Sequence, residues 1–339
     1  MKRVAVVGAT GYAGSELTAI LARHPGVELA GLYSSGGGAT VPFSSIHPAL
    51  TGSDGPAAQP FSIDALIASE ADSVFLATPN EVSAGLAPRL IDSGCGVIDL
   101  SGAFRLQEPV SYPRWYGFAH PAPDLLSQAV YGLTEWCNGE LPGAKIVANP
   151  GCYPTAILLA LRPLRWILDR DQPLICDVKS GVSGAGKQSE VAYSFAELAG
   201  NFKAYSVGSH RHEPEVRQGL DLGERAPLVF VAHLLPTVRG ILATLHVSFS
   251  KSMTPGSLSA LYEESYGHSQ FVRVREGGDL PELRHVVGTP RAEIGFVLLQ
   301  GGRRAVIVSV LDNLLKGAAS QAVQNFNRVH GFDEKEALS

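Results

Sequence analysis

Cys152 stands in the run Asn149-Pro150-Gly151-Cys152-Tyr153-Pro154, where the apolar stretch IVANP (146–150) gives way to helical spacing through Ile157, Leu158 and Leu161. A thiol at a helix start lies at the positive end of the backbone dipole, which favours the thiolate and makes the sulfur a nucleophile. Pro154 suits the first turn, where a missing N–H costs little. The other cysteines lack this context. Cys176 lies inside an apolar strand pattern and Cys95 and Cys137 lie in loop-like segments, the usual surroundings of small buried thiols. A catalytic thiolate needs an acid/base companion, and His210-Arg211-His212-Glu213-Pro214-Glu215 offers two imidazoles around a guanidinium. Spacing alone leaves open which histidine serves.

Two glycine-rich loops are suited to anions. Gly8-Ala9-Thr10-Gly11-Tyr12-Ala13-Gly14 joins the first apolar run to the first helical pattern. There, free helix amides and close backbone approach suit a dinucleotide pyrophosphate. The spacing is GxxGxxG rather than GxGxxG. An acidic residue about 20 positions further on would bind an NAD ribose. Tyr33-Ser34-Ser35-Gly36-Gly37-Gly38 stands there instead, without Asp, Glu or Arg, which favours NADP. The second loop, Ser180 to Lys187, approaches a Walker pattern, but Gln188 replaces the magnesium-binding hydroxyl. That argues against an ATP-using kinase and for an anion nest holding a substrate phosphate or oxyanion.

These residues require elements to carry them. Residues 1–7, 27–34, 73–79, 96–101 and 146–150 read as strands and Val82 to Ser93 as a helix, an alternation that predicts a doubly wound α/β sheet. A first helix through Leu17, Ile20 and Leu21 stops at Pro25-Gly26, and residues 102–145 read as irregular connections. LICDVKS (174–180), LVFVAHLLP (228–236), ILATLHVSF (241–249) and AVIVSVLDNL (305–314) predict a second, mixed sheet. The short 236–241 connection predicts that the strands it joins run antiparallel. A helix is expected over Leu315 to Val329. With 339 residues, two domains are expected.

Charged residues make up 17% of the chain and net charge is −5, which argues against disorder and against a nucleic-acid or membrane surface. Four dispersed cysteines predict neither disulfides nor a metal site, and fit a reducing cytoplasm. The basic N-terminus reaches glycines before a signal-peptide core forms. Ala156 to Leu168 is interrupted by Arg162, Pro163 and Arg165, too short for a membrane span.

Together VANPGCYPTAILLALRP (147–163), GATGYAG (8–14), DLSGAFRL (99–106), YGLTE (131–135), SGVSGAG (180–186), HRHEPE (210–215), HLLPTVRGILAT (233–244) and NLLKGAASQAVQNFN (313–327) resemble the N-acetyl-gamma-glutamyl-phosphate reductases, arginine-biosynthesis relatives of aspartate-semialdehyde dehydrogenases. The resemblance spans essentially the whole chain, and the cysteine motif is its most specific part. It implies a Rossmann-type doubly wound domain over 1–149, to which 313–339 return, and an inserted α+β catalytic and oligomerisation domain with a mixed sheet over 150–312. It implies NADPH-dependent reduction of N-acetyl-L-glutamyl 5-phosphate through a cysteine thioacyl intermediate, in a cytoplasmic homo-oligomer (dimer or tetramer) with no metal. Carried over, Cys152 is the nucleophile and His212 the acid/base, a choice its place beside the Glu213-Pro214 helix start favours. Arg105, His210, Arg211 and Arg239 become substrate-binding. Gly8, Thr10, Gly11, Tyr12, Gly14, Ser34, Ser35, Ser183, Gly184, Asn313 and Gln324 become cofactor-binding.

Gly102-Ala103 stands where such sequences often carry Ala-Asp, and a basic residue after Ser34-Ser35 is missing. The same chemistry on aspartyl phosphate or on a carrier-bound glutamyl or aminoadipyl phosphate is the alternative. A non-catalytic dinucleotide sensor would leave NPGCYPT and HRHEPE unexplained.

Overall fold

The computed structural model describes residues 1–34, 39–137, 139–187, 191–276 and 278–338. The chain divides into two units, Met1–Gly151 with Ala318–Ser339, and Cys152–Gly317.

The first unit holds β1 (Lys2–Val7), β2 (Val27–Ser34), β3 (Ala58–Pro60), β4 (Ser73–Leu76), β5 (Gly96–Asp99), β6 (Val130–Tyr131) and β7 (Ile146–Ala148). All pair in parallel in the order β3-β2-β1-β4-β5-β7-β6. Val4 to Val7, Val74 to Leu76 and Ile146 to Ala148 are at most 1% exposed, as expected of strands covered on both faces. Chain order reverses between β1 and β4, the position where open α/β sheets take ligands. The β1 loop leads there into the Tyr12–Ala22 helix, and the Asn80–Asp92 helix follows β4. Residues 102–145 are mostly irregular, as the sequence suggests, with short helices at Ser111–Trp115 and Thr134–Cys137.

The second unit holds β8 (Leu174–Gly181), β9 (Lys203–Tyr205), β10 (Leu228–Leu235), β11 (Ile241–Ser248), β12 (Val272–Val274), β13 (Ala292–Leu299) and β14 (Arg304–Leu311), ordered β12-β13-β14-β11-β8-β10-β9. The sheet is mixed, with β8 parallel to β10 and antiparallel to β11. β10 and β11 therefore run in opposite directions, as the short connection predicts. They are not neighbours, because β8 lies between them. Their connection passes over the end of β8, where Gly181, Val182 and Ser183 donate N–H bonds to the carbonyls of Gly240, Thr237 and Val238. A Cβ on Gly181 would meet Val238 and Arg239 backbone at 2.7 Å, so glycine there permits the crossing.

The Cys152–Leu161 helix packs on β11 and β14. Tyr153 to Leu161 are all buried, which accounts for apolar residues around its whole circumference. Each fully buried Leu or Ile there contributes about 1.5–3 kcal/mol. Tyr262 and Tyr266, on the Pro255–Tyr266 helix, donate to the Ala160 and Leu159 carbonyls at 2.7 and 2.6 Å, satisfying acceptors at the helix end. Apolar periodicity does not single out that helix or β13. The expected Leu315 to Val329 helix is a π-helical turn, Leu315–Ala319, followed by an α-helix, Ser320–His330. No helix among the described residues is long and apolar enough to cross a membrane.

Candidate active site

Cys152 is the first residue of its helix and alone of the four cysteines is not fully buried. Burial pushes the Cys176 thiol up, as expected for an inert core residue. Beside Cys152, the rings of Tyr153, Tyr205, His210, His212 and Phe230 form one cluster. Tyr153 lies 5.5 Å from His210 and 5.8 Å from His212, and the two imidazoles are 4.8 Å apart. Tyr205 and Phe230 lie 5.5 and 5.1 Å from His210. The Tyr153 and Tyr205 hydroxyls are 3.0 Å apart. Burial, opposed by the Tyr153 hydrogen bond and aided by the Cys152 charge, pushes Tyr205 up to about 12, and burial with the Tyr205 and Cys152 charges pushes Tyr153 higher still, so both phenols keep their protons. Tyr205, on the short edge strand β9, carries no sequence motif that would single it out.

Both histidines are buried, whereas Arg211 between them is exposed. His212 caps the Glu213–Gly219 helix. A Cβ on Gly219 would lie 2.5 Å from Leu158 Cδ1, so its absence lets this helix close on the one that begins at Cys152. Burial, reinforced by Arg211, pushes His210 down to about 4.

In the 180–186 loop, Ser183 donates to the Val238 carbonyl at 2.5 Å. The Asn313 amide donates to Ser183 Oγ at 2.9 Å and its oxygen accepts the Gly240 N–H at 2.8 Å. Asn313 thus ties this loop to the β10–β11 connection, while Gly184 stays exposed. Arg239, on that connection, lies 3.6 Å from the fully buried Asp312. Asp312 also accepts the N–H groups of Leu314, Leu315 and Gly288. Arg239 is therefore held near a fixed carboxylate. The second unit packs Tyr153, which follows Cys152, against His210 and His212, and brings Ser183 to Asn313.

In the first unit, Gly8 has φ +88°, and a Cβ there would lie 2.2 Å from the Ala77 carbonyl oxygen. A Cβ on Gly14 would lie 2.0 Å from the Gly8 oxygen, whereas one on Gly11 meets nothing closer than 3.5 Å. Gly11 caps the Tyr12–Ala22 helix without a side-chain bond, and no acidic residue stands in the first turn. Glu16, further along, pairs with His47 at 3.0 Å. This bare, unopposed helix start suits a pyrophosphate, flanked by half-buried Thr10 and exposed Tyr12. Ser34 is buried and donates to the Gln59 carbonyl at 3.3 Å. Ser35 and Gln188 lie outside the described residues.

Arg105 is buried, and two of its donors go to the Asn149 and Leu100 carbonyls at 2.8 Å each. A Cβ on Gly102 would meet the Tyr116 ring at 2.3 Å, which accounts for glycine at this departure from the resembling sequences. The Gln324 amide donates to Glu135 and Glu334, among side chains of the first unit. Its neighbour Asn325 has the linking role. Asn325 donates to Asn149 Oδ1 at 3.1 Å and to the Gly132 carbonyl at 2.8 Å, and accepts from Thr134 at 2.5 Å. Asn149 in turn donates to the Ala318 carbonyl at 3.2 Å. YGLTE, NPGC and the C-terminal motif are thus one hydrogen-bonded network, which single motifs do not reveal. Among the described residues no group of three or more His, Cys, Asp and Glu could hold a metal ion.

Residues 3–144 match the semialdehyde dehydrogenase NAD-binding domain and residues 152–313 the semialdehyde dehydrogenase dimerisation domain. The chain is 44% identical over 341 residues to an N-acetyl-gamma-glutamyl-phosphate reductase of Bacillus subtilis (strain 168), covering 99% of this chain and 98% of the relative. It belongs to the N-acetyl-gamma-glutamyl-phosphate reductase family. A family member from Halorhodospira halophila is 46% identical over 346 residues, covering 100% of this chain and 98% of its own. The chain has the fold of aspartate semialdehyde dehydrogenase. The Vibrio cholerae aspartate semialdehyde dehydrogenase II complexed with ASA superposes with a TM-score of 0.70 at 19% identity, covering 97% of this chain and 98% of its own. The Candida albicans enzyme with NADP gives 0.66 at 15% identity, covering 97% and 99%.

Proposed function

We propose that the chain reduces N-acetyl-L-glutamyl 5-phosphate to N-acetyl-L-glutamate 5-semialdehyde and phosphate, with NADPH as reductant and Cys152 as covalent nucleophile. The observation that carries the reading is the half-buried Cys152 at the start of a buried helix whose next residue, Tyr153, packs against two buried imidazoles.

The Cys152 thiolate attacks the acyl carbon; the C–S bond forms as the C–O bond to phosphate breaks, and phosphate leaves with the electron pair. NADPH, held by the glycine loop after β1, would supply hydride to the thioacyl carbon. His212 protonates the resulting oxygen and takes the proton back as the C–S bond breaks, which releases aldehyde and restores the thiolate. Arg239, Arg211, Arg105 and His210 orient the anionic substrate. Ser183, Gly184 and Asn313 contact the cofactor, and Asn313 holds the 180–186 loop in place. Gly8, Thr10, Gly11, Tyr12, Gly14, Ser34 and Ser35 hold the dinucleotide, with Gln324 supporting from the C-terminal helix.

The chain works as a dimer or tetramer, a reading supported by the dimerisation-domain match. Four cysteines dispersed along the chain suit a reducing cytoplasm. The deciding experiment runs the reaction backwards, following NADPH formation from NADP and phosphate with a panel of semialdehydes. N-Acetylglutamate semialdehyde should give the highest kcat/KM. Preference for aspartate semialdehyde or for a carrier-bound aldehyde would reassign the substrate.

A further inference from the structure

Cys152 and Gly317 are the first and last residues of the second unit, and they touch. A Cβ at position 317 would lie 2.8 Å from Cys152 Cβ, 3.2 Å from Leu311 Cδ1 and 3.3 Å from the Asp312 carbonyl oxygen. Gly317 is not among the residues with positive φ, so its backbone does not itself require glycine. What requires glycine is the close approach to Cys152.

The turn that carries Gly317 is firmly held. Its N–H donates to the Asp312 carbonyl at 2.9 Å, the five-residue bond of a π-helical turn. Asp312, fully buried, accepts the Leu314 and Leu315 N–H groups at 2.8 and 3.2 Å through one carboxylate oxygen, and the Gly288 N–H at 2.8 Å through the other. Because the Gly317 N–H is already committed, Gly317 does not serve the reaction as an oxyanion donor. Its effect on Cys152 is steric.

We infer that Gly317 is a positioning residue for the nucleophile: its bare Cα walls one side of Cys152 and confines the thiol to the staggered positions that face away from the turn. A cysteine side chain has three such positions, and backbone in contact with Cβ removes those directed at it. The inference rests on Cys152 being the nucleophile. A methyl at position 317 must push Cys152 or the turn aside, and a displacement approaching 1 Å costs a reacting group about 100-fold in rate.

The test combines Gly317→Ala, Cys152→Gly and the double variant. Gly317→Ala should lower kcat about 10- to 100-fold with KM within about threefold, and should change the rate at which iodoacetamide alkylates Cys152 across the pH range. In urea unfolding, Cys152→Gly should recover most of the stability that Gly317→Ala loses, because the collision needs both Cβ atoms. Additive losses in this cycle, or kcat and alkylation within about twofold of the parent, would overturn the assignment. If Gly317→Ala does not fold, folding of the double variant supports the contact. Failure of both places the collision at Leu311 or Asp312 and refutes it. The unfolding cycle does not depend on turnover. A Cys152→Ser variant that kept its activity would therefore sink the nucleophile reading and leave the contact measurable.

Discussion

His210 Nδ1 accepts the backbone N–H of His212 at 3.1 Å. The bond assigns the neutral tautomer, with the proton on Nε2, and burial with Arg211 nearby holds His210 at about 4. His210 is therefore neutral throughout the working range, and its ring braces the residue two positions on.

The two histidines should separate in a pH–rate profile. His212→Asn should lower kcat strongly with KM little changed, and should abolish one limb of the pH–rate profile. His210→Asn should act more on KM and leave that limb in place. A limb that disappears with His210 and survives without His212 would reverse the roles.

His210 should also contribute to acid sensitivity. Between the folded value of about 4 and the unfolded value of 6.5 the unfolded chain binds the additional proton. This histidine's contribution is thus complete above pH 6.5 and is lost as pH falls towards 4, with an upper bound of roughly 3 kcal/mol. Urea midpoints measured from pH 7 to pH 4.5 should fall less steeply in His210→Asn than in the parent. Parallel slopes would show that burial of this ring carries no such cost.

Cys152→Ser should fold and bind dinucleotide but lose nearly all turnover, since a serine hydroxyl at this helix start is not ionised as a thiol is. Substrate should no longer form a covalent adduct detectable by intact mass. Near-parental turnover would remove the nucleophile assignment.

NADPH should exceed NADH in kcat/KM by about tenfold, or about 1.4 kcal/mol of transition-state binding, because the β2 end at Tyr33-Ser34 offers no carboxylate to an NAD ribose. The comparison uses both cofactors with one substrate. Equal or better use of NADH would overturn the preference.

Within the glycine loop, Gly14→Ala should weaken dinucleotide binding by about tenfold or more, since its Cβ would lie 2.0 Å from the Gly8 oxygen and force the loop open. Gly11→Ala, whose Cβ meets nothing closer than 3.5 Å, should cost little in the unliganded protein. Cofactor titration by fluorescence ranks the two. A larger loss of fold stability at Gly11 would contradict this geometry.

Residue order alone determined β1, β2, β4, β5, β7, β8, β10, β11 and β14, the glycine turn after β1, the cysteine at a helix start and the paired histidines. Each is a local pattern, written in apolar period, dipole position or turn chemistry within a few consecutive residues. Tertiary structure decided what depends on partners far apart in the chain. β8 lies between β10 and β11 because a short connection can cross the end of a strand, and periodicity reports burial but not neighbours. Arg105 gives donors to backbone carbonyls, the Gln324 amide faces Glu135 and Glu334, and Asn325 rather than Gln324 joins the network to Asn149. A side chain's hydrogen-bonding capacity is legible from its type, but where that capacity is used depends on which atoms the fold brings within 3 Å. The same holds for glycines: Gly8 is explained by its own backbone angle together with Ala77, whereas Gly219 and Gly317 are explained only by Leu158 and Cys152, which reach them through the packing of distant segments.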